Sequence, residues 1–183
     1  MSVPQQAKPA KLFVSVIARQ AEDIARVVLD LADRYGPIDF VSEILPFDLT
    51  DYYEAEMGRP LLRRFASYGT LIGQDDLVQI KEQTNMMETR SSRQGRRTVN
   101  IDPGYLVAER LVLASGKNYT HRIYLGRGIY ADLTLIFQRQ QYRALPWTYP
   151  DYAQQKIRDW LWTIRQRYLF QLRQGEKMVS PRD

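Results

Sequence analysis

The sequence predicts an α+β fold with a mainly antiparallel sheet, and three observations carry the prediction. Apolar runs of strand length alternate with amphipathic runs of helix length in the order strand–helix–strand–strand–helix–strand. That order is the ferredoxin-like split βαβ pattern. Hairpin signals follow it, extending the sheet, and a C-terminal amphipathic helix closes the chain.

Residues 11–18, KLFVSVIA, form a near-continuous apolar run before Arg19, the pattern of a buried strand. Ile24, Val27, Val28, Leu31 and Tyr35 recur at helical spacing. Gly36-Pro37 ends that helix, because glycine takes the left-handed cap and proline cannot continue the ladder. Residues 38–45 read as the second strand and 63–72 as the third, with a polar, aromatic loop over 46–60 between them. Asp75-Asp76 place negative charge where the next helix dipole favours it. The inner face of that helix is expected from Leu77, Ile80, Thr84 and Met87. Residues 97–101 read as the fourth strand, running into a turn at Pro103-Gly104. Further strands are expected near 106–114, 122–126, 129–138 and 142–145, with Gly126-Arg127-Gly128 as a tight hairpin turn. Ile157, Trp160, Leu161, Ile164, Tyr168 and Leu172 mark the last helix, starting near Pro150 or Asp151. The expected organisation is a flexible tail over 1–10, one domain over 11–175 and a flexible tail over 176–183.

Composition narrows the function classes. At 183 residues, 44% hydrophobic and 26% charged, the chain is long enough to bury a core and too apolar for disorder. It has no cysteine, which excludes disulfides, thiolate metal sites and cysteine nucleophiles, and fits a reducing, cytoplasmic setting. His121 is the only histidine, so no multi-histidine metal site exists. No apolar run approaches the ~20 residues of a membrane span, so no membrane partner is expected. The polar N-terminus lacks the apolar segment of a signal peptide. The net charge of +5 suits a phosphate-bearing partner. The sequence does not set an oligomeric state.

The charge is unevenly placed. Asp39, Glu43, Asp48, Asp51, Glu54 and Glu56 fall in one stretch without a basic residue, and Arg90, Arg93, Arg96 and Arg97 fall in another without an acid. Within Pro46–Gly58, the carboxylates of Asp48, Asp51 and Glu54 are spaced to share one side of a helical turn. Oxygen clusters of this kind suit Mg²⁺. The alternative is a loop whose Asp and Thr side chains cap a short helix while Tyr52 and Tyr53 pack inward. Asp102 precedes a proline and is held extended, so its carboxylate projects from a strand end as a catalytic candidate, or closes an Asx-turn. Lys117, Arg122 and Arg127 are phosphate donors, and His121 titrates near neutrality as a general acid or base. In Leu145–Tyr152, Trp147 and Tyr149 could stack on a base, or the segment could be a packed crossover into the last helix. Leu111 and Asn118 stand where a P-loop needs glycine and a hydroxyl residue. No Gly-x-Gly-x-x-Gly opens a helix, and Gly-x-Ser-x-Gly is absent.

The segments GPIDFVSEILPFDLTDYYEAEMG (36–58), NIDPGY (100–105), LVLASGKNYTHRIYL (111–125), GIYADLTLI (128–136) and PWTYPDY (146–152) resemble a family of bacterial and archaeal single-domain proteins, a domain of unknown function. The resemblance spans nearly the whole chain after Lys11. It implies that these segments belong together and implies no activity. Some similar sequences are labelled GTP-binding, which here is a hint of nucleotide binding without a P-loop. The leading expectation is a binder or enzyme for a phosphate-bearing small molecule, such as a nucleotide with Mg²⁺. An RNA-binding module and a non-enzymatic adaptor are the alternatives.

Overall fold

The computed structural model describes residues 1–179, the last four by backbone alone. In chain order the elements are β1 (Ala10–Ala18), α1 (Ala21–Tyr35), β2 (Ile38–Val41), β3 (Leu45–Pro46), α2 (Glu54–Met57), β4 (Leu62–Ile72) and α3 (Leu77–Ser91). They continue with β5 (Val99–Leu106), β6 (Arg110–Ser115), β7 (Arg122–Gly126), β8 (Ile129–Gln138), β9 (Gln141–Ala144) and α4 (Gln155–Val179).

The most apolar strand takes the most buried place. Every residue of β1 is buried, and β1 lies inside the sheet between β4 and β5. Among the described residues the strands form one sheet of nine, ordered β2-β4-β1-β5-β6-β8-β7, with β3 added to β4 and β9 to β8. All its pairings are antiparallel. The helix α1 carries the chain from β1 to β2 across β4, and α3 carries it from β4 to β5 across β1. The α+β fold with an extended antiparallel sheet and a C-terminal helix is therefore present.

Facing residues on paired strands share a face of the sheet. Ser15 opposes Phe65 and Asp102, and Ile17 opposes Arg63 and Asn100. On this face Phe65 packs edge-on against Tyr152 and Trp160 at the start of α4. The other face takes α1 and α3: Tyr68 donates its hydroxyl to the Val28 carbonyl at 3.2 Å. Lys11 is fully buried within β1. Its ammonium pairs with Asp39 at 2.5 Å, and burial holds its pKa below the ordinary lysine value despite that partner.

Four expectations are corrected. Pro103-Gly104 is not a turn: β5 runs straight through it, and the chain reverses after Leu106. Proline is tolerated because Ile101, two residues back, turns its backbone away from β1, and Pro103 shares that parity on the side where β6 pairs only from Gly104. The Gly104 position needs its bare Cα because a Cβ there would come within 2.4 Å of the Val112 carbonyl. The strand expected over 38–45 breaks into β2 and β3, with Ser42 between them bonded to Phe65. The inner face of α3 includes Lys81 and Glu88, both buried, while Met87 is only half-buried. Finally, α4 starts at Gln155 rather than near Pro150, and it passes the expected boundary at 175 to reach Val179. The remainder of the tail expected over 176–183 lies outside the described residues.

At the other end, residues 1–9 are exposed. The carbonyls of Lys8 and Pro9 nevertheless accept hydrogen bonds from Gln74 and Tyr168. No helix among the described residues is long and apolar enough to cross a membrane.

Candidate functional site

The sheet splits between β5 and β6. The two strands pair only over Gly104–Leu106 and Leu111–Leu113, and among the described residues no strand pairs with the β5 stretch before them on that side. A buried unpaired backbone group is costly, and α3 removes the cost. Its Glu88 carboxylate accepts from the Ile101 N–H at 2.6 Å, and its Lys81 ammonium donates to the Ile101 carbonyl at 2.9 Å. Burial pushes the Glu88 carboxyl above its ordinary pKa, against the pull of Lys81 and Arg97.

Asp102 lies beside this split. Its Oδ2 accepts from Asn100 at 2.7 Å, and its Oδ1 stands 3.7 Å from the Lys81 ammonium. Burial raises the phenol pKa values of Tyr53, Tyr149 and Tyr152, and the Asp102 charge adds to each. Three tyrosine hydroxyls from two loops therefore lie within electrostatic reach of one carboxylate. Arg97 locks the first loop in place: it bonds Glu56 through Nε at 2.7 Å and Nη2 at 2.6 Å, and Glu88 through Nη1 at 3.0 Å. These bonds to Arg97 hold the Glu56 carboxyl below its ordinary pKa.

A second cluster is organised by Asp132, 2% exposed on β8. Arg122 donates to it from Nε at 2.9 Å, to Ser115 from Nη1 at 2.9 Å, and to the Tyr149 hydroxyl from Nη2 at 2.6 Å. The His121 Nε2 is 3.4 Å from the same carboxylate, and its ring stacks on Trp147 with centroids 5.1 Å apart and planes at 11°. Beside this, the Lys117 ammonium lies 3.7 Å from the centroid of the Tyr52 ring and donates to its hydroxyl. Tyr52, Tyr119, Trp147 and Tyr149 are all exposed here.

The structure thus brings His121, Arg122, Trp147 and Tyr149 together around Asp132, and it brings Lys117 against the acidic loop through Tyr52. Other expected groupings do not form. Arg127 sits at the tip of the β7–β8 hairpin, paired with Glu82 of α3 at 2.8 Å. Glu54 pairs with Arg59. Asp48 lies in a small cleft lined by Phe47, Leu49, Arg63 and Asp151, and Asp51 is exposed. Among the described residues no group of three or more His, Asp or Glu side chains could hold a metal ion, so Asp48, Asp51 and Glu54 do not make the expected oxygen cluster. Three of the six acids of 39–56 are instead met by cations from other segments: Asp39 by Lys11, Glu43 by Lys156 and Glu56 by Arg97.

The chain matches the family described as Domain of unknown function (DUF4416) over residues 8–168. The chain belongs to this family. Neither a curated protein nor a solved structure matches it.

Several organising residues of this DUF4416 domain escape a pattern reading. Asp132 is a lone carboxylate in the apolar run 129–138. Arg63, 4% exposed on β4, donates to Ser15 at 2.7 Å, pairs with Asp151 and lies over the rings of Phe47, Phe65 and Tyr152. Lys81 and Glu88 occupy the buried face of a helix. In each case the available signal was a charge at a position that periodicity assigns to the core, and buried charges are retained only where they are paired.

Proposed function

We propose that this end of the DUF4416 domain binds a phosphate-bearing small molecule of nucleotide type. The observation that supports the reading best is Lys117. It is exposed, no carboxylate among the described residues pairs with it, and it stands beside exposed aromatic rings. A cation next to π-faces is the combination that a phosphate joined to a base requires. Arg122, held by Asp132, Ser115 and Tyr149, steadies the segment that carries Lys117, whose carbonyl accepts from its Nη1 at 3.0 Å. Trp147 has one ring face against His121 and, with Tyr149, forms the wall against which a base would lie. His121, stacked on Trp147, would exchange a proton with such a ligand, and the Asp102 charge reaches the Tyr149 phenol. A Mg²⁺ ion would arrive with the phosphates, since that ion commonly needs only one or two protein carboxylates.

Titration of the full chain with ATP, GTP and a short single-stranded RNA, each with and without Mg²⁺, tests this. Tryptophan fluorescence is the readout. A mononucleotide dissociation constant below about 1 mM supports the reading, and Lys117→Ala should then weaken binding about tenfold, or about 1.4 kcal/mol, without lowering Tm. Binding of the RNA alone would assign the same rings and cations to a strand. Absence of any binding with and without Mg²⁺ rejects the proposal.

A further inference from the structure

The strand β7 is the last in the sheet order, and among the described residues no strand pairs with its outer side. Edge strands present a row of backbone donors and acceptors, and proteins usually blunt them with charge or proline. The opposite edge follows that practice: Pro37, Asp39, Glu43 and Pro46 lie in or beside β2 and β3. The edge at β7, Arg122-Ile-Tyr-Leu-Gly126, does not. Ile123 is 70% exposed, Tyr124 58% and Leu125 43%, three large apolar side chains in a row. The one charge in the strand, Arg122, is turned inward to Asp132 with its side chain 5% exposed. The register with β8 slips between Tyr124 and Gly126, which leaves the backbone of Leu125 unspent on β8.

We propose that β7 is a homodimer interface, in which two copies of the chain pair their β7 strands antiparallel about Tyr124. The pattern is self-complementary. An axis at Tyr124, the middle residue, engages the whole strand. It sets Ile123 opposite Leu125 of the second copy, twice, and it sets Arg122 opposite Gly126, so the only charge meets no side chain and no like charge. An isologous contact of this kind closes with two-fold symmetry, joins the two nine-stranded sheets into one, and covers both apolar edges at once. The contact leaves Lys117 outside the paired strand and does not depend on the ligand proposed above.

The mass of the full chain in solution, measured by light scattering across micromolar concentrations, reads the proposal. Twice the chain mass is expected. Ile123→Lys should shift the dissociation constant toward monomer by about tenfold or more, because it buries an unpaired charge against Leu125 of the second copy. Leu29→Lys, on an α1 position that is 59% exposed, should not. Position 123 is exposed, so the fold of each copy should not change, and Tm should fall only by what the lost association contributes. The chain has no cysteine, so a single introduced one reports proximity. Facing antiparallel residues stand about 4.5–5.5 Å apart, within the span of a disulfide. Tyr124→Cys should therefore cross-link between copies on mild oxidation, and Leu29→Cys should not. A wild-type chain that stays monomeric overturns the proposal. So does a dimer that Ile123→Lys leaves intact, or a Tyr124→Cys variant that cross-links no faster than Leu29→Cys.

Discussion

The carboxylate of Glu88 takes the backbone N–H of Ile101 at 2.6 Å, standing in for the strand that β6 fails to supply. The same carboxylate holds Arg97 at 3.0 Å, so one buried side chain of α3 secures both the sheet split and the arginine that fastens the loop containing Glu56.

Replacing Glu88 by alanine should therefore leave the buried Ile101 N–H without its acceptor and strip Arg97 of one of its two carboxylate partners. The expected loss is about 2–3 kcal/mol, a fall in Tm of about 4–12 °C for a chain of this size. Glu88→Gln keeps an oxygen for Ile101 and should recover most of the loss. Thermal denaturation of the two variants checks this; equal losses would mean that charge, not the hydrogen bond, is what matters.

The Glu56–Arg97 pair should make the protein acid-sensitive. The folded carboxyl titrates below its unfolded value, so its contribution is present above the unfolded pKa and is lost as pH falls through the folded one. For a pair this exposed, the contribution is about 0.5–1 kcal/mol. Glu56→Gln should lower Tm at pH 7 and converge with the wild type as the pH falls below about 4. Glu88 acts with the opposite sign, because its raised pKa lets the folded state hold the proton longer. The comparison at position 56 cancels that term.

Gly104 should be intolerant of a methyl group although it occupies no turn. A Cβ there would meet the Val112 carbonyl at 2.4 Å and the Leu113 side chain at 2.7 Å. Gly104→Ala should cost about 1–3 kcal/mol. Gly116→Ala, with nothing within 4 Å, should leave stability within about 0.5 kcal/mol of wild type. Urea denaturation of both variants distinguishes the strand from the turn that the Pro-Gly dipeptide implies.

The N-terminus should be dispensable only up to its last two residues. Deleting residues 2–7 should leave Tm unchanged. Deletion through Pro9 removes the acceptor of the buried Tyr168 hydroxyl, 2.8 Å away, and should cost about 1 kcal/mol. Equal Tm values for the two truncations would show that the Pro9 contact carries no weight.

Where local pattern and tertiary demand agreed, the sequence could be read directly. The run KLFVSVIA reads as a buried strand because six of its eight residues are apolar, and the spacing of Ile24, Val27, Val28 and Leu31 reads as a helix face. With the order of such runs, the hairpin signals and the spacing of Ile157 to Leu172, these carried the α+β class, the antiparallel sheet and the C-terminal helix. Pro103-Gly104 misled because turn chemistry is a local preference, and here two long-range facts outweigh it: the diverging β6 and the close approach of Val112. The acidic stretch 39–56 depended on tertiary placement in a similar way. Repulsion among its carboxylates demanded cations, but whether those were metal ions or side chains depended on which strands came to lie beside them. Lys11, Arg97 and Lys156 answer for three of the six. The grouping of His121, Arg122, Trp147 and Tyr149 was present in the sequence only as separate motifs. Asp132 makes it one place, through a pairing of β7 with β8 that no periodicity encodes. Composition and periodicity determine which surfaces must be buried; only the tertiary structure decides which buried charge meets which, because that depends on residues far apart in the chain.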